Sequence, residues 1–105
     1  MLAAMPAGDC TDILKALSDQ TRMRIVKVLL DGPRSVNEIV DAVGSSQYNV
    51  SKHLRVLRQA GIAEVEADGT RRNYAIANAF RRKLAREGSV LDFGCCQFDF
   101  KKLGD

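Results

Sequence analysis

Two amphipathic helices joined by only three residues constrain this fold more than any other feature of the sequence. The first opens at S-V-N-E, residues 35–38, which has the spacing of a capping box. Gly44 supplies the left-handed conformation that often ends a helix, and Ser45 or Ser46 can cap the helix that follows. So short a connection predicts a tight helix-turn-helix.

Apolar residues recur at helical spacing and show which face of each helix is buried. In the helix-turn-helix they are Val36, Ile39, Val40 and Val43, then Val50, Leu54 and Leu57. Two helices precede this pair, with apolar positions at Ile13, Leu14 and Leu17, then at Ile25, Val28 and Leu29. Asp9 or Thr11 can cap the first of them, and Ser18 or Asp19 the second. The proline of D-G-P, residues 31–33, ends the second helix because it cannot continue one.

A β-hairpin is predicted directly after the helix-turn-helix. The stretches Ile62–Ala67 and Thr70–Ile76 flank Asp68-Gly69, a strong signal for a two-residue hairpin turn. Val65 on one strand, with Tyr74 and Ile76 on the other, can form the buried face. A last helix over Ala79–Glu87, capped by Asn78, is then ended by Gly88.

The order of these elements predicts a mainly α fold with a small β-hairpin, arranged as a winged helix-turn-helix. The 105 residues are enough for one compact domain, and dimerisation would bury further apolar surface. We expect a flexible lead over residues 1–9, a DNA-binding and dimerisation domain over 10–87, and a hydrophobic Cys/Phe-rich tail over 88–105.

Positive charge is concentrated in one central block of the chain. Residues 47–86 carry nine basic and three acidic side chains, residues 1–46 five basic and six acidic, and residues 87–105 two basic and four acidic. The formal net charge is only +3. A basic block of this kind is the electrostatic footprint of a nucleic-acid binder, although a solvated basic face would give the same count.

The second helix of the helix-turn-helix can read DNA, because an α-helix fits the major groove while the preceding helix braces it. Once its core positions are removed, the candidate DNA contacts are Gln47, Tyr48, Asn49, Ser51, Lys52, His53, Arg55 and Arg58. Arg71 and Arg72 lie beside the hairpin turn, where they can reach phosphates or a groove. His53, the single histidine, suits packing or a DNA-backbone contact better than metal ligation.

Three stretches resemble the ArsR/SmtB family of bacterial metal- and stress-responsive repressors. They are L-S-D-Q-T-R-M-R-I-V-K-V-L, then S-S-Q-Y-N-V-S-K-H-L-R-V-L-R-Q-A-G-I-A-E-V, then D-G-T-R-R-N-Y. The resemblance covers roughly residues 10 to 86. It implies a homodimer formed by the first and last helices, which binds double-stranded DNA at a palindromic operator and leaves when an inducer binds.

Two sensing sites that the resemblance implies are missing. A C-x-C pair would fall on Ser35 and Asn37, so that thiolate site is absent. A zinc site on the last helix would need histidines, and the chain has none besides His53.

Cys10, Cys95 and Cys96 remain as candidate sensing residues, and three interpretations of them stay open. They can offer three sulfurs to trivalent arsenic or antimony as an inducer, as cysteines near the chain ends do in some members of the resembled family. Cys95 or Cys96 can instead pair with Cys10 on oxidation or persulfide attack. All three can also be buried structural residues within the apolar tail. Adjacent Cys95 and Cys96 are poorly spaced for a mutual disulfide.

The sequence favours a DNA-binding repressor over other classes of protein. No nucleophile–base pairing or phosphate-binding glycine loop is apparent, so we expect no enzyme. No apolar run approaches the length of a membrane span, and the odd number of cysteines fits a reducing, cytoplasmic location. A repressor without an effector, whose tail serves dimerisation or a protein partner, is the alternative.

Overall fold

The computed structural model describes residues 10–81 and 90–102. Its helices and strands are α1 (Cys10–Leu17), α2 (Gln20–Leu29), α3 (Val36–Val43), α4 (Gln47–Gln59), β1 (Ala63–Asp68), β2 (Arg71–Ile76), β3 (Val90–Asp92) and β4 (Gln97–Asp99). Residues 78–81 are also helical, and a 3-10 helix, Phe100–Lys102, follows β4. The predicted fold class is confirmed. The predicted lead and residues 82–87 of the predicted last helix lie outside the described residues.

Side-chain caps start three of the helices where the sequence predicts them. Asp19 accepts from the Arg22 N–H at 3.0 Å and caps α2. Ser35 and Glu38 form the full capping box of α3, and Ser46, rather than Ser45, caps α4. Gly44 ends α3 in the left-handed conformation, with φ +71°. These local signals fix the short turn between α3 and α4.

The helices pack around one apolar core. Its completely buried side chains on α2, α3 and α4 include Ile25, Val26, Ile39, Val50 and Leu57. Leu14 is 49% exposed, whereas Ile13 and Leu17 of the same helix are buried. Adjacent helical positions point about 100° apart, so Leu14 falls beside the buried stripe of α1.

The β1–β2 hairpin forms the wing, but its turn lies one residue later than predicted. Asp68 pairs with Arg71, so the two-residue turn is Gly69-Thr70 rather than Asp68-Gly69. Gly69 has φ +64°, at the first turn position, which a type II′ turn gives to glycine. Arg34, just before α3, exchanges backbone hydrogen bonds of 2.9 and 2.7 Å with Tyr74 of β2 and so ties the wing to the helix-turn-helix.

The described part of the tail is a second small antiparallel hairpin, β3 with β4, followed by the 3-10 helix. Leu91, Phe93 and Phe100 are buried and belong to the same core cluster as the apolar face of α1. Phe93 also meets Phe80 edge to face, with ring centroids 4.8 Å apart. This part of the tail is therefore packed on the core of the domain.

A disulfide joins Cys10, the first residue of α1, to Cys95 in the turn between β3 and β4, with 6.2 Å between their Cα atoms. Cys96 is a free, half-buried thiol. Within 10–81 and 90–102, no helix combines the length and apolar character that a bilayer crossing requires.

Candidate nucleic-acid interface

The outer face of α4 is a continuous polar surface above a buried apolar stripe. Val50, Leu54 and Leu57 fix the helix against the core with almost no exposure. This leaves seven predicted residues on the outside, all exposed: Gln47, Tyr48, Asn49, Ser51, Lys52, Arg55 and Arg58. The arrangement gives hydrogen-bonding groups near the start of the helix and cations along its later turns, as reading of base edges and phosphates requires.

Tyr48 is the most distinctive member of this face. Its side chain is 73% exposed. The Lys52 ammonium lies 5.6 Å from the centre of the Tyr48 ring, in cation–π range. The pair therefore presents an apolar ring and a positive charge together on the first turns of α4.

Arg71 of the wing is held beside the helix-turn-helix by two side chains. Its Nη2 donates to Glu38 Oε1 at 3.1 Å, and its Nε donates to Asn73 Oδ1 at 3.2 Å. Arg71 and Arg72 are both exposed. Glu38 thereby links the start of α3 to the wing.

The Glu38 carboxyl is kept ionised by its surroundings. The Ser35 backbone N–H, which donates to Glu38 Oε1 at 2.9 Å, does most to hold the pKa of Glu38 below its ordinary value. The Ser35 hydroxyl and the Arg71 guanidinium lower the same pKa further. The carboxylate that positions the wing is thus charged at neutral pH.

His53 differs from the other predicted contacts because it is half-buried and faces α2. Nη1 of Arg22 lies 3.1 Å from His53 Nδ1. Arg22 also donates through Nε to the Ala16 carbonyl at 2.6 Å and through Nη2 to the Lys15 carbonyl at 3.4 Å. Arg22 therefore connects the last turn of α1 to the middle of α4. The sequence offered no signal for this residue, because the contact spans 31 positions.

A second arginine that sequence reasoning missed holds the start of the following helix against the wing. Arg81 donates through Nη2 to Glu64 Oε1 at 3.0 Å and to Glu66, and through Nε to the Ile76 carbonyl at 2.8 Å. Glu64 also accepts from the Asn78 N–H at 2.8 Å. Asn78, predicted as an N-cap, is instead the first helical residue.

The three cysteines come together, but not as an open set of three thiols. Cys10 and Cys95 share the disulfide, and Cys96 Sγ lies 3.9 Å from Cys95 Sγ. Among the described residues, no group of three or more histidine, cysteine or acidic side chains is arranged to hold a metal ion. Ligation of arsenic or antimony by these cysteines stays a prediction.

Comparison with known proteins gives consistent matches over the helix-turn-helix. A family described as "Bacterial regulatory protein, arsR family" matches residues 19–65, from the N-cap of α2 into β1. The HTH-type transcriptional regulator KmtR of Mycobacterium tuberculosis is 36% identical over 73 residues, which cover 70% of this chain and 56% of KmtR. The cadmium resistance transcriptional regulatory protein CadC homolog of Staphylococcus aureus is 33% identical over 87 residues, covering 82% of this chain and 72% of that protein.

A solved structure shares the architecture. It is the homodimeric winged helix-turn-helix DNA-binding domain, fragment 1–100, of Mb0332 from Mycobacterium bovis, described as a possible ArsR-family transcriptional regulator. The match has a TM-score of 0.64 and 32% identity, and it covers 74% of this chain and 69% of the other. The present chain spans little more than half the length of KmtR and about seven-tenths of the CadC homolog and of the solved Mb0332 fragment.

Proposed function

The chain belongs to the ArsR family of bacterial regulatory proteins, and we propose that it is a DNA-binding transcriptional regulator that acts as a homodimeric repressor at a palindromic operator. The observation that carries this proposal is the exposed polar and basic face of α4 above a fully buried stripe. In this assignment α4 enters the major groove, α3 braces it, and the wing lies along the adjacent backbone.

Base reading is assigned to the first turns of α4. Gln47, Asn49 and Ser51 are exposed and carry short donors and acceptors that can pair with base edges. Tyr48, which is exposed beside them, can contact apolar groups such as the thymine methyl. Arg55 and Arg58, further along the helix, supply positive charge for phosphates, which orient the protein without reading sequence.

The wing supplies a second backbone contact. Arg71 of the hairpin forms an ion pair with Glu38 of α3, and a backbone bridge joins Arg34 to Tyr74. Together these contacts hold the hairpin against α3, so the hairpin turn has a defined position. Arg72 is exposed beside Arg71, so both can meet phosphates. A contact of this kind adds affinity that depends strongly on salt.

Homodimerisation is proposed on two grounds. The similar domain of Mb0332 is described as homodimeric. On this chain, Leu14 of α1 is 49% exposed beside a buried stripe, which leaves an apolar side chain for a second copy to cover. A two-fold dimer would present two copies of α4 to half-sites about one helical turn of DNA apart.

We extend the proposal to location and inducer. A regulator of this kind works in the cytoplasm, where its DNA is, and we assign it no catalytic activity. An inducer of trivalent arsenic or antimony would need the Cys10–Cys95 disulfide opened first, because a disulfide sulfur is not a thiolate ligand. Arsenite added to the reduced protein on its operator tests that inducer directly.

The experiment that tests the proposed function is fluorescence anisotropy of the full chain on labelled DNA from upstream of its own gene. We expect tight binding to a palindromic segment and weak binding to an unrelated duplex at the same salt concentration. Equal affinity for both duplexes would contradict sequence-specific repression.

A charge-matched pair of variants locates the interface. Arg55→Ala should weaken binding because it removes a cation from the exposed face of α4. Lys101→Ala removes the same charge from the exposed surface of the tail and should leave affinity unchanged. If Lys101→Ala weakened binding as much as Arg55→Ala, positive charge in general, and not the α4 face in particular, would account for the affinity.

A further inference from the structure

The Cys10–Cys95 disulfide connects two elements that the repressor function does not itself require to be linked. It joins the first residue of α1 to the β3–β4 turn across a sequence separation of 85 residues. The Cα–Cα distance of 6.2 Å lies within the range that disulfides normally span, so the fold itself brings the two cysteines together.

The position of this bond makes it open to chemistry. Cys95 is exposed and Cys10 is half-buried, so small oxidants and reductants in solution can reach the sulfurs. A DNA-binding regulator, as proposed above, works in the reducing interior of the cell. Disulfides are rare there and, where present in ordinary bacteria, are usually transient and redox-sensing.

Cys96 is close but is poorly suited to compete for the bond. Its Sγ lies 3.9 Å from Cys95 Sγ, yet neighbouring cysteines rarely pair because the Cα separation across one peptide is too short. Burial, and to a lesser degree the Asp92 carboxylate, raises the pKa of the Cys96 thiol. Since the thiolate is the attacking form, Cys96 is held in its less reactive state.

Packing of the tail makes opening and closing reversible. Leu91, Phe93 and Phe100 are buried in the same core cluster as Ile13 of α1. These apolar contacts do not depend on the sulfur atoms and keep the two cysteines near each other after reduction. What the disulfide adds is a fixed connection between the start of α1 and the β3–β4 turn.

A chain of contacts leads from α1 to the DNA-reading helix. The last turn of α1 holds Arg22 through the carbonyls of Lys15 and Ala16, and Arg22 contacts His53 in the middle of α4. A change in how α1 is held at its first residue can therefore alter the position of Arg22 and, through it, of α4.

We propose that Cys10 and Cys95 form a reversible thiol–disulfide switch that sets the affinity of the protein for its operator. The proposal rests on the DNA-binding function inferred above and adds its regulation. The disulfide fixes α1 to the tail, whereas the dithiol form releases that connection while the rest of the core stays folded.

The chemistry needs a hydroperoxide as oxidant and a dithiol as reductant. The Cys95 thiolate attacks a peroxide oxygen, the O–O bond breaks, and Cys95 becomes a sulfenic acid while the alcohol or water leaves. The Cys10 thiol then attacks that sulfur, so the S–S bond forms and water departs. A dithiol reverses the step by two thiol–disulfide exchanges, returning two electrons and two protons to the pair.

The test compares the fully reduced and the peroxide-treated full chain. Differential alkylation and mass spectrometry first establish which cysteines are paired in each sample. Anisotropy on the upstream DNA, and on an unrelated duplex, then measures affinity in both forms. We expect the two forms to differ in operator Kd by about fivefold or more, the lower end of typical coupling between sites.

Serine variants identify the cysteines that matter. Cys10→Ser and Cys95→Ser should each bind with one affinity whatever the peroxide treatment, whereas Cys96→Ser, the matched control, should respond like the unchanged protein. Circular dichroism checks that each variant is folded. If Cys10→Ser does not fold, Cys10→Ala is used in its place.

Three outcomes would overturn the switch. Equal operator affinity of the two forms would contradict it while leaving the proposed function intact. A response that survived in Cys10→Ser, or vanished in Cys96→Ser, would assign the chemistry to a different pair. If neither form preferred the operator to the unrelated duplex, the proposed function would fail, and regulation of it would fail as well. Mass spectrometry would still report whether Cys10 and Cys95 pair.

Discussion

Nη1 of Arg22 lies 3.1 Å from Nδ1 of His53, and this contact joins α2 to the centre of α4, the helix proposed to read DNA. A guanidinium can only donate, so Nδ1 of His53 must accept and the imidazole proton must be on Nε2. His53 is thereby a positioning residue for α4, in addition to the DNA-backbone contact that the sequence predicts for it.

The acceptor role of His53 can be tested with two substitutions. His53→Leu removes the acceptor and should lower the free energy of unfolding by about 1 kcal/mol, the usual contribution of a hydrogen bond to stability. His53→Asn places an amide oxygen near the position of Nδ1 and should retain most of that stability. Urea denaturation of both variants checks the expectation, and equal losses would show that the Arg22 contact is not the cause.

The wing arginines should contribute to binding mainly through phosphates. Arg71→Ala and Arg72→Ala should weaken binding to all sequences and lower the slope of log affinity against log salt by about one each. The Glu38–Arg71 ion pair is half-exposed, so losing it should change stability little. Anisotropy titrations at several salt concentrations give the slope, and an unchanged slope would remove the wing from the interface.

Residues at the start of α4 should instead determine sequence preference. Gln47→Ala and Ser51→Ala should narrow the difference in affinity between the operator and single-base variants, because a good base contact contributes about 1–3 kcal/mol of discrimination. Arg58→Ala is the matched comparison and should weaken binding to every duplex alike. A uniform loss for Gln47→Ala would move that residue to the phosphate-contacting class.

Two helix caps should make the fold sensitive to acid. The pKa of Asp19 is lowered chiefly by the Arg22 N–H, and that of Glu38 chiefly by the Ser35 N–H. A carboxyl whose pKa is lower in the folded state stabilises the fold above its unfolded pKa, and this stability is lost as pH falls through the folded value.

We therefore expect the urea concentration at the unfolding midpoint to decrease once the pH is lowered below about 4, where these carboxyls ordinarily become protonated. The fall should be smaller in Asp19→Asn and in Glu38→Gln than in the unchanged protein. Urea titrations at a series of pH values measure it, and Asp41→Asn, an exposed position near the end of α3, is the control. Identical pH profiles for all four proteins would show that the caps are not responsible.

The disulfide should be a large part of the stability of the oxidised protein. A bond that closes a loop of this length restricts the unfolded chain, and the chain-entropy relation gives about 4.6 kcal/mol. Urea denaturation should show this loss on reduction, while Cys10→Ser under oxidising conditions should match the reduced protein. Coincident midpoints for the oxidised and reduced protein would contradict the expectation.

Elements set by neighbouring residues could be predicted from the sequence, and contacts between distant residues could not. The capping box at Ser35 and the left-handed Gly44 act over a single turn, so the α3–α4 connection was predicted and is confirmed. The hairpin turn was placed one residue early because Asp68 and Gly69 are both strong turn formers, and only the pairing of Asp68 with Arg71 selects the register.

In the candidate site, too, locally determined features could be predicted and contacts between distant residues could not. The exposure of the outer face of α4 follows from the helical spacing of its apolar residues alone. The contact of Arg22 with His53 and the choice of Cys95 over Cys96 as the partner of Cys10 depend on how α1, α2 and the tail pack, which no local pattern encodes. Three-residue strands such as β3 and β4 likewise form only when the core beneath them is present.

The bond between Cys10 and Cys95 also turns most of the chain into a covalent ring that holds every candidate DNA contact. A protease that cuts once within this ring, for instance after exposed Arg72, would open it without producing separate fragments. The nicked oxidised protein would migrate as one species on a denaturing gel until a reductant was added. An unchanged apparent mass on a non-reducing gel would therefore not show that the backbone is uncut. Proteolytic cleavage of this protein would become visible only after the disulfide was reduced.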